Sequence, residues 1–470
     1  MGGERRTPPP DIAPWEESDV KLSKKGRTRD ELLAEMRGLQ GGDADWRGGR
    51  MWSLVYFAGE DVADVLKEAY TTYFYTNALS PAAFPSVRKL ESEVISMTAE
   101  LLGSGDAVGN ITSGGTESIL MAIKTARERA RAERPGLTEP EMVLPVTAHP
   151  AFEKGAHYFG VKPVHIPVSE DFRADVEAAR AAVTDNTVLV VGSAPCYPYG
   201  VVDPIPELAA LAQERGIGCH VDACVGGFFL PFMRRLGYEV PPFDFSVPGV
   251  TSISADLHKY GYAARGSSTV LYRDKEIRRH QFFTYADWPG GLYGSPTMAG
   301  SRPGAMVAAA WAVLNYLGED GYLRLVGMVM ETARALMDGI NAIPALRVIG
   351  KPDMSLFSYT SDSVDIYAVA DAMDARGWHL DRQQLPAKLH LVVTPAHKEI
   401  VGPFLADLEA ATRSVVSEGP TAGGSAAMYG MLGTLPDRGA VHKVIQDFLD
   451  RMSQPAEDQV SGLPGGSEKP

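Results

Sequence analysis

The chain has 470 residues, of which 45% are hydrophobic and 22% are charged, and its formal net charge is -14. Single hydrophobic cores rarely grow beyond about 250 to 300 residues, so this length predicts more than one domain. The excess of negative charge argues against general attraction to nucleic acid, and any anionic ligand would need local positive charge.

The three cysteines, Cys196, Cys219 and Cys224, form no CxxC pair and no disulfide framework, which favours a reducing compartment. No uncharged apolar run approaches the roughly 20 residues of a membrane span, and the N-terminus lacks the apolar core of a signal peptide. We therefore expect no membrane span, no metal site and a cytoplasmic location.

The predicted elements begin after a segment rich in proline, glycine and charge. We assign residues 1–85 to a partly flexible N-terminal arm and residues 453–470 to a flexible tail. Apolar residues recur at helical spacing from Val87 to Leu101, and this helix is expected to open a large domain over residues 86–317.

Helical segments then alternate with six short apolar runs, which begin at Met142, Val161, Thr187, Ile217, Thr251 and Ser268. This alternation predicts a mostly parallel sheet covered by helices, an α/β architecture. A helical pattern returns from Met306 to Leu317. Beyond Gly318, long helical stretches and strand candidates near Leu346 and Leu356 predict a smaller C-terminal α+β domain over residues 318–452.

The first candidate site residue is Lys259, which lies between His258 and Tyr260 in a segment that follows a strand candidate. A lysine that attacks an aldehyde must often be neutral, and burial among aromatic residues can lower its pKa. Taken alone, a His-Lys pair is far more often an ordinary surface turn.

The second candidate is the segment from Thr112 to Ser118, TSGGTES, which runs into an apolar helix. Glycines allow close backbone approach to an anion, and a helix N-terminus offers unpaired N–H groups, so the segment predicts a phosphate cup. It is not a Walker loop, because no lysine follows the glycines. A helix start capped by the side chain of Ser113 or Thr116 is an equally good interpretation of the motif alone.

Asp222 and His149 each stand at the carboxyl end of a predicted strand, where open α/β sheets bind their ligands. A carboxylate there can keep a pyridine nitrogen protonated, and a flat imidazole can stack on a flat cofactor. Each residue alone has a structural alternative. Together with Lys259 and the phosphate cup they predict pyridoxal phosphate as cofactor.

Five segments carry a resemblance to a known family: TSGGTESILMA, TAHPAFEKGAHYFG, VDACVGGFFLPF, SADLHKYGYAARGSS and DWPGGLYGSPTMAGSRPG. Together they resemble the sphingosine-1-phosphate lyases, within the group that includes glutamate and aromatic amino-acid decarboxylases. The resemblance is strong from Trp52 to Trp311 and looser elsewhere. It implies the fold-type I transferase fold of pyridoxal-phosphate enzymes and, because eukaryotic members carry a membrane anchor, a soluble bacterial type.

The resemblance also implies a role for each matched position. It implies that Lys259 bonds to the cofactor aldehyde and that His258, Gly115 and Thr116 lie at the cofactor phosphate, with His149 stacked on the ring and Asp222 at its nitrogen. Tyr56 and Tyr197 match active-site tyrosines. The segment from Trp288 to Ser301 resembles a loop that reaches the neighbouring subunit, where Gly300 and Ser301 would lie near the cofactor phosphate, so a homodimer with shared active sites is implied.

Two positions depart from the family pattern. Ser80 stands where the family usually has histidine, and Arg265 stands where it usually has lysine. Arginine still binds phosphate, with forked geometry, whereas serine replaces neither the charge nor the proton transfer of histidine. With Tyr56 and Asn77, these residues are the predicted contacts of the substrate phosphate.

The implied reaction is retro-aldol cleavage of a phosphorylated sphingoid base into a long-chain aldehyde and phosphoethanolamine. Tyr56, Tyr197 and Lys259 are the candidates for proton transfer. The apolar run from Phe228 to Met233 can line a lipid channel, although core packing explains it better. Two alternatives remain: an amino-acid decarboxylase of the same fold, in which Arg265 binds the carboxylate, and a cofactor-binding protein that has lost activity with Ser80.

Overall fold

The computed structural model describes residues 24–418 and 437–453, together with Leu22 and Leu435. These residues pack into two compact units. The larger unit comprises Trp52–Thr360 and His390–Leu405, and the smaller contains the described parts of Met1–Met51, Ser361–Leu389 and Ala406–Pro470. The domain ranges 1–85, 86–317 and 318–452 stay predictions, and residues 454–470 of the predicted tail lie outside the described residues.

A seven-stranded sheet forms the centre of the larger unit. In chain order its strands are β1 (Val108–Thr112), β2 (Glu141–Pro145), β3 (Lys162–Ile166), β4 (Thr187–Ser193), β5 (Gly218–Asp222), β6 (Ser252–Ala255) and β7 (Ser268–Tyr272). Their spatial order is β1-β7-β6-β5-β4-β2-β3, and β7 is the strand that runs against the others. The mostly parallel sheet is confirmed.

These strands form the core because their sequences are mostly apolar. Every residue of β2, β4, β5, β6 and β7 is buried, as expected when helices cover both faces of a parallel sheet. The six strand candidates all correspond to observed strands. The sequence pattern missed β1, a short strand of mixed polarity at one edge of the sheet.

The helices of the larger unit precede, connect and follow these strands. They are α2 (Glu60–Thr72), α3 (Pro85–Leu101), α4 (Gly115–Glu133), α5 (Ala151–Phe159), α6 (Val176–Ala182), α7 (Ile205–Glu214), α8 (Leu230–Arg235), α9 (Lys275–Arg278) and α10 (Gly304–Asn341). The predicted helix from Val87 is α3. Helix α10 contains one non-helical residue, Gly318 with φ 53°, at the position where the sequence pattern changes.

The remaining elements are shorter strands and further helices: α1 (Arg29–Leu39), β8 (Phe283–Tyr285), β9 (Tyr293–Ser295), β10 (Arg347–Val348), β11 (Leu356–Thr360), α11 (Ile366–Asp374), β12 (Asp381–Gln383), β13 (Lys388–Val392), α12 (Val401–Glu418) and α13 (Arg438–Met452). The pairs β8–β9 and β10–β11 are antiparallel. From β10 onward, the mixture of helices and short strands is the α+β character predicted for the C-terminal part.

Within the smaller unit, the N-terminal segment packs against residues far along the chain. The Arg50 guanidinium lies 3.9 Å from the ring centroid of Trp378, which is fully buried. The indole N–H of Trp378 donates to Asp407 Oδ2 at 2.9 Å. A cation over the face of a buried tryptophan stabilises this arrangement by about 1 to 2 kcal/mol.

Burial decides two further predictions. Residues Phe228–Met233 are all buried, with Phe232 the most exposed of the apolar side chains at 5%, and they pack in the core, as the sequence favoured. The three cysteines are buried and form no disulfide, as the sequence predicted. Among the described residues, no helix combines the length and apolarity needed to cross a bilayer.

Candidate active site

A cavity of about 410 Å³ lies in the larger unit at the carboxyl ends of β1, β2, β4, β5 and β6. This is the edge at which open α/β sheets bind ligands. The predicted site residues that line it are Tyr56, Gly115, Thr116, His149, Tyr197, Asp222, His258, Lys259 and Arg265. The structure therefore brings together residues that are more than 200 positions apart in sequence.

The phosphate cup is the start of α4, immediately after β1. The N-cap residue is Gly114, and no side chain caps the helix. The interpretation in which Ser113 or Thr116 caps the helix is therefore wrong. Because the first N–H groups of a helix have no partner within the helix, the first turn offers donors and a positive dipole end to an anion in the cavity.

Gly115 is required by a close approach. A Cβ atom at this position would lie 2.8 Å from both Asp256 Oδ2 and Cys224 Sγ. Such contacts are shorter than carbon makes with oxygen or sulfur, so a larger residue would displace the start of α4. Glycine therefore lets the phosphate cup lie directly against the turn that carries Lys259.

That turn follows β6 and holds Lys259 in the cavity. The Lys259 N–H donates to Asp256 O at 3.3 Å, and the Tyr262 N–H donates to Lys259 O at 2.8 Å. Tyr262 has φ 57°, a left-handed conformation that disfavours side chains with a Cβ by roughly 1 to 2 kcal/mol. The buried aromatic rings around Tyr262 hold this conformation: Tyr260 and Tyr322 have ring centroids 6.3 and 6.2 Å away.

Lys259 is paired with a carboxylate that the sequence analysis did not assign to the site. Its Nζ lies 2.8 Å from Asp256 Oδ2, and Asp256 is 1% exposed. Burial acts to lower the pKa of Lys259, but the Asp256 carboxylate outweighs burial and the pKa is raised well above its ordinary value. The expectation of a lowered lysine pKa is wrong for the protein chain by itself, because Asp256 stabilises the ammonium form.

His258 presents a neutral donor beside the phosphate cup. Burial lowers the pKa of His258 to about 4, although Asp256 acts in the opposite direction. The Ser267 N–H donates to His258 Nδ1 at 3.1 Å, so the single proton of the neutral ring is on Nε2. A Cβ on Gly114 would lie 3.4 Å from His258 Cε1, so the ring borders the phosphate cup.

Asp222 and His149 lie at the ends of two further strands that border the cavity. Asp222 is the last residue of β5, is 8% exposed, and accepts from the Cys224 N–H at 3.1 Å. His149 Nδ1 accepts from the Ala151 N–H at 3.1 Å. Burial lowers the pKa of His149 and Asp222 acts to raise it; the net shift is downward and favours the neutral ring.

Arg265 and two tyrosines supply the polar groups that remain. The Arg265 guanidinium lies 5.5 Å from the centre of the Tyr56 ring, within the range of a cation–π interaction. Burial lowers the pKa of Arg265, and Tyr56 acts to raise it. The Tyr197 ring packs against His390 with centroids 4.3 Å apart.

Four of the predicted residues lie away from this cavity. Asn77 Nδ2 donates to Ser301 Oγ at 3.1 Å, and Ser80 Oγ accepts from the Ala83 N–H at 3.4 Å. Gly300 lines a second cavity of about 290 Å³, together with Leu79. For Gly300 and Ser301 the predicted role at the cofactor phosphate concerns a shared site in a dimer. This role, and the roles of Asn77 and Ser80 at the substrate phosphate, stay predictions.

The sequence analysis gave no site role of their own to several residues that line the cavity, among them Asp256, Glu117, Cys224 and Leu54. Glu117 accepts from the Ser113 N–H at 2.7 Å and the Met298 N–H at 2.9 Å, and so ties the phosphate cup to the segment before Gly300. Leu54 is 66% exposed and has φ 66°. The role of Asp256 was the easiest of these to predict from the sequence, because a carboxylate three residues before a lysine can pair with that lysine when both lie in one turn.

This set of groups fits pyridoxal phosphate. An uncapped helix start and a neutral histidine donor suit the phosphate, a strand-end carboxylate suits the ring nitrogen, and a lysine suits the aldehyde. Gly115 leaves no room for a Cβ atom at the start of α4, and all of these groups line one cavity.

The pyridoxal-dependent decarboxylase conserved domain matches residues 16–361 of the chain. The sphingosine-1-phosphate lyase of Arabidopsis thaliana is 48% identical over 430 residues, covering 89% of this chain and 79% of the relative. A solved structure of a sphingosine-1-phosphate lyase from Burkholderia pseudomallei is 40% identical, with a TM-score of 0.85, and covers 92% of this chain and 97% of its own.

A decarboxylase is also among the relatives. The probable L-aspartate decarboxylase of Pyrococcus abyssi is 34% identical over 389 residues, covering 83% of this chain and 98% of the relative. The lyases match at higher identity over more of the chain, and the motifs around Lys259 are the ones that carried the resemblance. The chain therefore belongs to the pyridoxal-dependent decarboxylase family and, within it, to the group of sphingosine-1-phosphate lyases.

Proposed function

We propose that the protein is a pyridoxal-phosphate-dependent lyase that cleaves a phosphorylated sphingoid base into a long-chain aldehyde and phosphoethanolamine. The observation that carries this proposal is the single cavity that contains Lys259, Asp222, the phosphate cup and Arg265. The names of the relatives from Arabidopsis and Burkholderia support the same activity.

When bound, pyridoxal phosphate supplies an electron sink conjugated to the carbon that carries the substrate amine. The residues of the chain orient and polarise this group. Asp222 would accept a hydrogen bond from the ring nitrogen and keep it protonated, and the flat His149 ring would limit the position of the cofactor ring. The first turn of α4 and His258 Nε2 would donate to the cofactor phosphate.

The cleavage itself needs one proton removed and one proton delivered. A base takes the proton of the C3 hydroxyl, the C2–C3 bond breaks, C3 becomes the aldehyde carbon, and C2 receives a proton. Tyr56, Tyr197 and Lys259 are the candidates for these transfers, because all three line the cavity. Two residues in the wall of the cavity, Cys224 and Asp256, are buried.

Arg265 is our candidate for binding the substrate phosphate. Its guanidinium is held over the Tyr56 ring, and both residues line the cavity. A planar cation of this kind binds phosphate through two parallel hydrogen bonds. We also assign Asn77 and Ser80 to the substrate phosphate in a shared site, where Ser80 supplies a hydroxyl in place of the usual histidine.

A homodimer with shared active sites is part of the proposal. The hairpin of β8 and β9 exposes large apolar side chains: Phe283 is 58% exposed, Trp288 54% and Leu292 88%. An apolar loop of this kind is more stable when a second copy covers it. We expect light scattering to give the mass of two chains, and a Trp288→Asp, Leu292→Asp double variant to shift the mass toward one chain. A wild-type mass of one chain at micromolar concentration would contradict the dimer.

The first test of the activity identifies the products. Incubation of the holoenzyme with a phosphorylated sphingoid base should release one long-chain aldehyde for each phosphoethanolamine, because the bond that breaks lies between them. L-Aspartate and L-glutamate serve as control substrates, with carbon dioxide as the readout. Release of carbon dioxide without aldehyde would favour the decarboxylase alternative, and absence of both products would favour a binding protein without turnover.

The second test locates the covalent attachment. Borohydride reduction of the holoenzyme followed by peptide mapping should place the pyridoxyl group on Lys259, because this lysine shares the cavity with the phosphate cup. Lys124 is a suitable internal control, since its Nζ donates to the backbone oxygens of His280 and Gln281. Label on Lys124 or on any other lysine would contradict the site.

The third test concerns Arg265. We expect Arg265→Ala to raise the KM for the phosphorylated substrate by on the order of 30-fold, the effect of losing about 2 kcal/mol of charge-assisted hydrogen bonding. Arg265→Lys restores the family residue and should recover most of the loss. Cofactor occupancy, measured by absorbance, should stay nearly constant. If occupancy falls in proportion to the rise in KM, Arg265 serves the cofactor and not the substrate.

A further inference from the structure

A closed group of buried polar side chains adjoins Asp222 on β5 and β6. His220 and Asp222 lie on β5 in parallel register with Ser252 and Ser254 of β6. His220 and Ser254 are fully buried, and Ser252 is 4% exposed. His220 does not line the cavity, and no step proposed for the cleavage uses it.

Hydrogen bonds connect the imidazole of His220 to the carboxylate of Asp222 through one hydroxyl group. His220 Nδ1 lies 2.9 Å from Ser252 Oγ, and His220 Nε2 lies 3.2 Å from Ser254 Oγ. Ser254 Oγ in turn donates to Asp222 Oδ1 at 3.3 Å. Because a carboxylate only accepts, the single proton of the Ser254 hydroxyl is directed to Asp222.

The direction of every other hydrogen bond follows from this one. Ser254 Oγ has two lone pairs left, and it accepts from His220 Nε2 and from Cys224 Sγ, which lies at 3.4 Å. Burial, with the nearby carboxylates of Asp222 and Asp256, raises the pKa of the Cys224 thiol, so the thiol retains the proton it donates.

The protonation of His220 is consistent with this pattern. Burial lowers the pKa of His220 to about 4, although Asp222 acts to raise it, so the ring is neutral and carries one N–H. That proton is on Nε2, since Ser254 has no second proton to donate. Nδ1 then accepts from the Ser252 hydroxyl, and every group of the cluster has a partner.

We propose that His220 is a positioning residue that holds the Ser254 hydroxyl toward Asp222 and thereby stabilises the negative charge of that carboxylate. Asp222 Oδ1 receives the Ser254 hydroxyl and the Cys224 N–H at 3.1 Å. A carboxylate supported by two donors holds its charge opposite the ring nitrogen of the cofactor. This inference deepens the proposed function and rests on it, because it requires the cofactor in this cavity.

Two serine variants on the same strand test the role of the Ser254 hydroxyl. Ser254→Ala removes the donor to Asp222, whereas Ser252→Ala removes an equally buried hydroxyl that contacts only His220 in this group. With ¹⁵N-labelled pyridoxal phosphate, the ring-nitrogen signal of Ser254→Ala should move toward the unprotonated position. The signal of Ser252→Ala should match wild type.

The kinetic expectation separates positioning from general damage. Ser254→Ala should lower kcat by about ten-fold, the effect of losing one hydrogen bond to a charged group, with little change in KM. Ser252→Ala should retain kcat within about two-fold, because the Ser252 hydroxyl contacts His220 and not Asp222. Equal losses in the two variants would overturn the inference, because they would indicate a purely structural role for the group.

The tautomer provides a readout that needs neither cofactor nor activity. In the apoprotein labelled with ¹⁵N-histidine, His220 should appear as the neutral ring with its proton on Nε2, and His220→Phe assigns the signal by its loss. In the holoenzyme, His220→Gln keeps an amide donor for Ser254, so the ring-nitrogen signal of labelled pyridoxal phosphate should lie closer to wild type in this variant than in His220→Phe. A proton on Nδ1 would overturn the inference.

The outcomes also separate this inference from the proposed function. A wild-type protein that binds pyridoxal phosphate, together with an unchanged ring-nitrogen signal in Ser254→Ala, overturns the role of His220 and leaves the lyase proposal intact. A wild-type protein that binds no pyridoxal phosphate contradicts both. A shifted signal in Ser254→Ala, with Ser252→Ala unchanged, supports the inference whichever substrate is cleaved.

Discussion

The structure of the site depends on one electrostatic constraint, the burial of two carboxylates at neighbouring strand ends. Asp222 is 8% exposed and Asp256 is 1% exposed. An isolated charge in such surroundings is strongly unfavourable, so each carboxylate must be matched by donors or by opposite charge. Asp256 is matched by the Lys259 ammonium at 2.8 Å, and Asp222 by the Cys224 N–H and the Ser254 hydroxyl.

The two carboxylates affect the chemistry of the site in different ways. The ion pair with Asp256 fixes both the charge and the position of Lys259. The neutral donors to Asp222 fix that carboxylate and leave its second oxygen for a cofactor in the cavity. Asp256 Oδ1 is buried and has no hydrogen-bond partner among the described residues. The region between Asp256 and Gly115 therefore contains a polar atom to which the described protein groups donate no hydrogen bond. Such groups concentrate where a ligand completes the set.

Much of the fold followed from apolar periodicity, because a parallel sheet covered on both faces needs uninterrupted apolar strands. The runs that begin at Met142, Thr187 and Thr251 are fully buried strands, as predicted. Strand β1 escaped prediction because Gly109 and Asn110 interrupt its apolar pattern. The position of Gly109 has its own reason: a Cβ there would lie 2.2 Å from Val270 O.

The sequence predicted which residues form the site but did not predict their charges. Strand ends placed Asp222, His149 and Lys259 together, since parallel strands share one carboxyl edge. The charge of Lys259 could not be read from its neighbours in sequence, because it depends on whether Asp256, three residues earlier, points into the same turn. The Ser252 and Ser254 contacts of His220 depend likewise on the register of β5 against β6, which no local pattern encodes.

The ion pair of Lys259 with Asp256 has a consequence for how the protein acquires its cofactor. An amine attacks an aldehyde only after it loses its extra proton. Asp256 stabilises the amine of Lys259 in its ammonium form. The proton that leaves Nζ needs an acceptor, and the Asp256 carboxylate at 2.8 Å is in place to receive it. The site without cofactor therefore holds its amine in the unreactive form, and the rate at which the aldehyde is captured falls as the surroundings become more acidic.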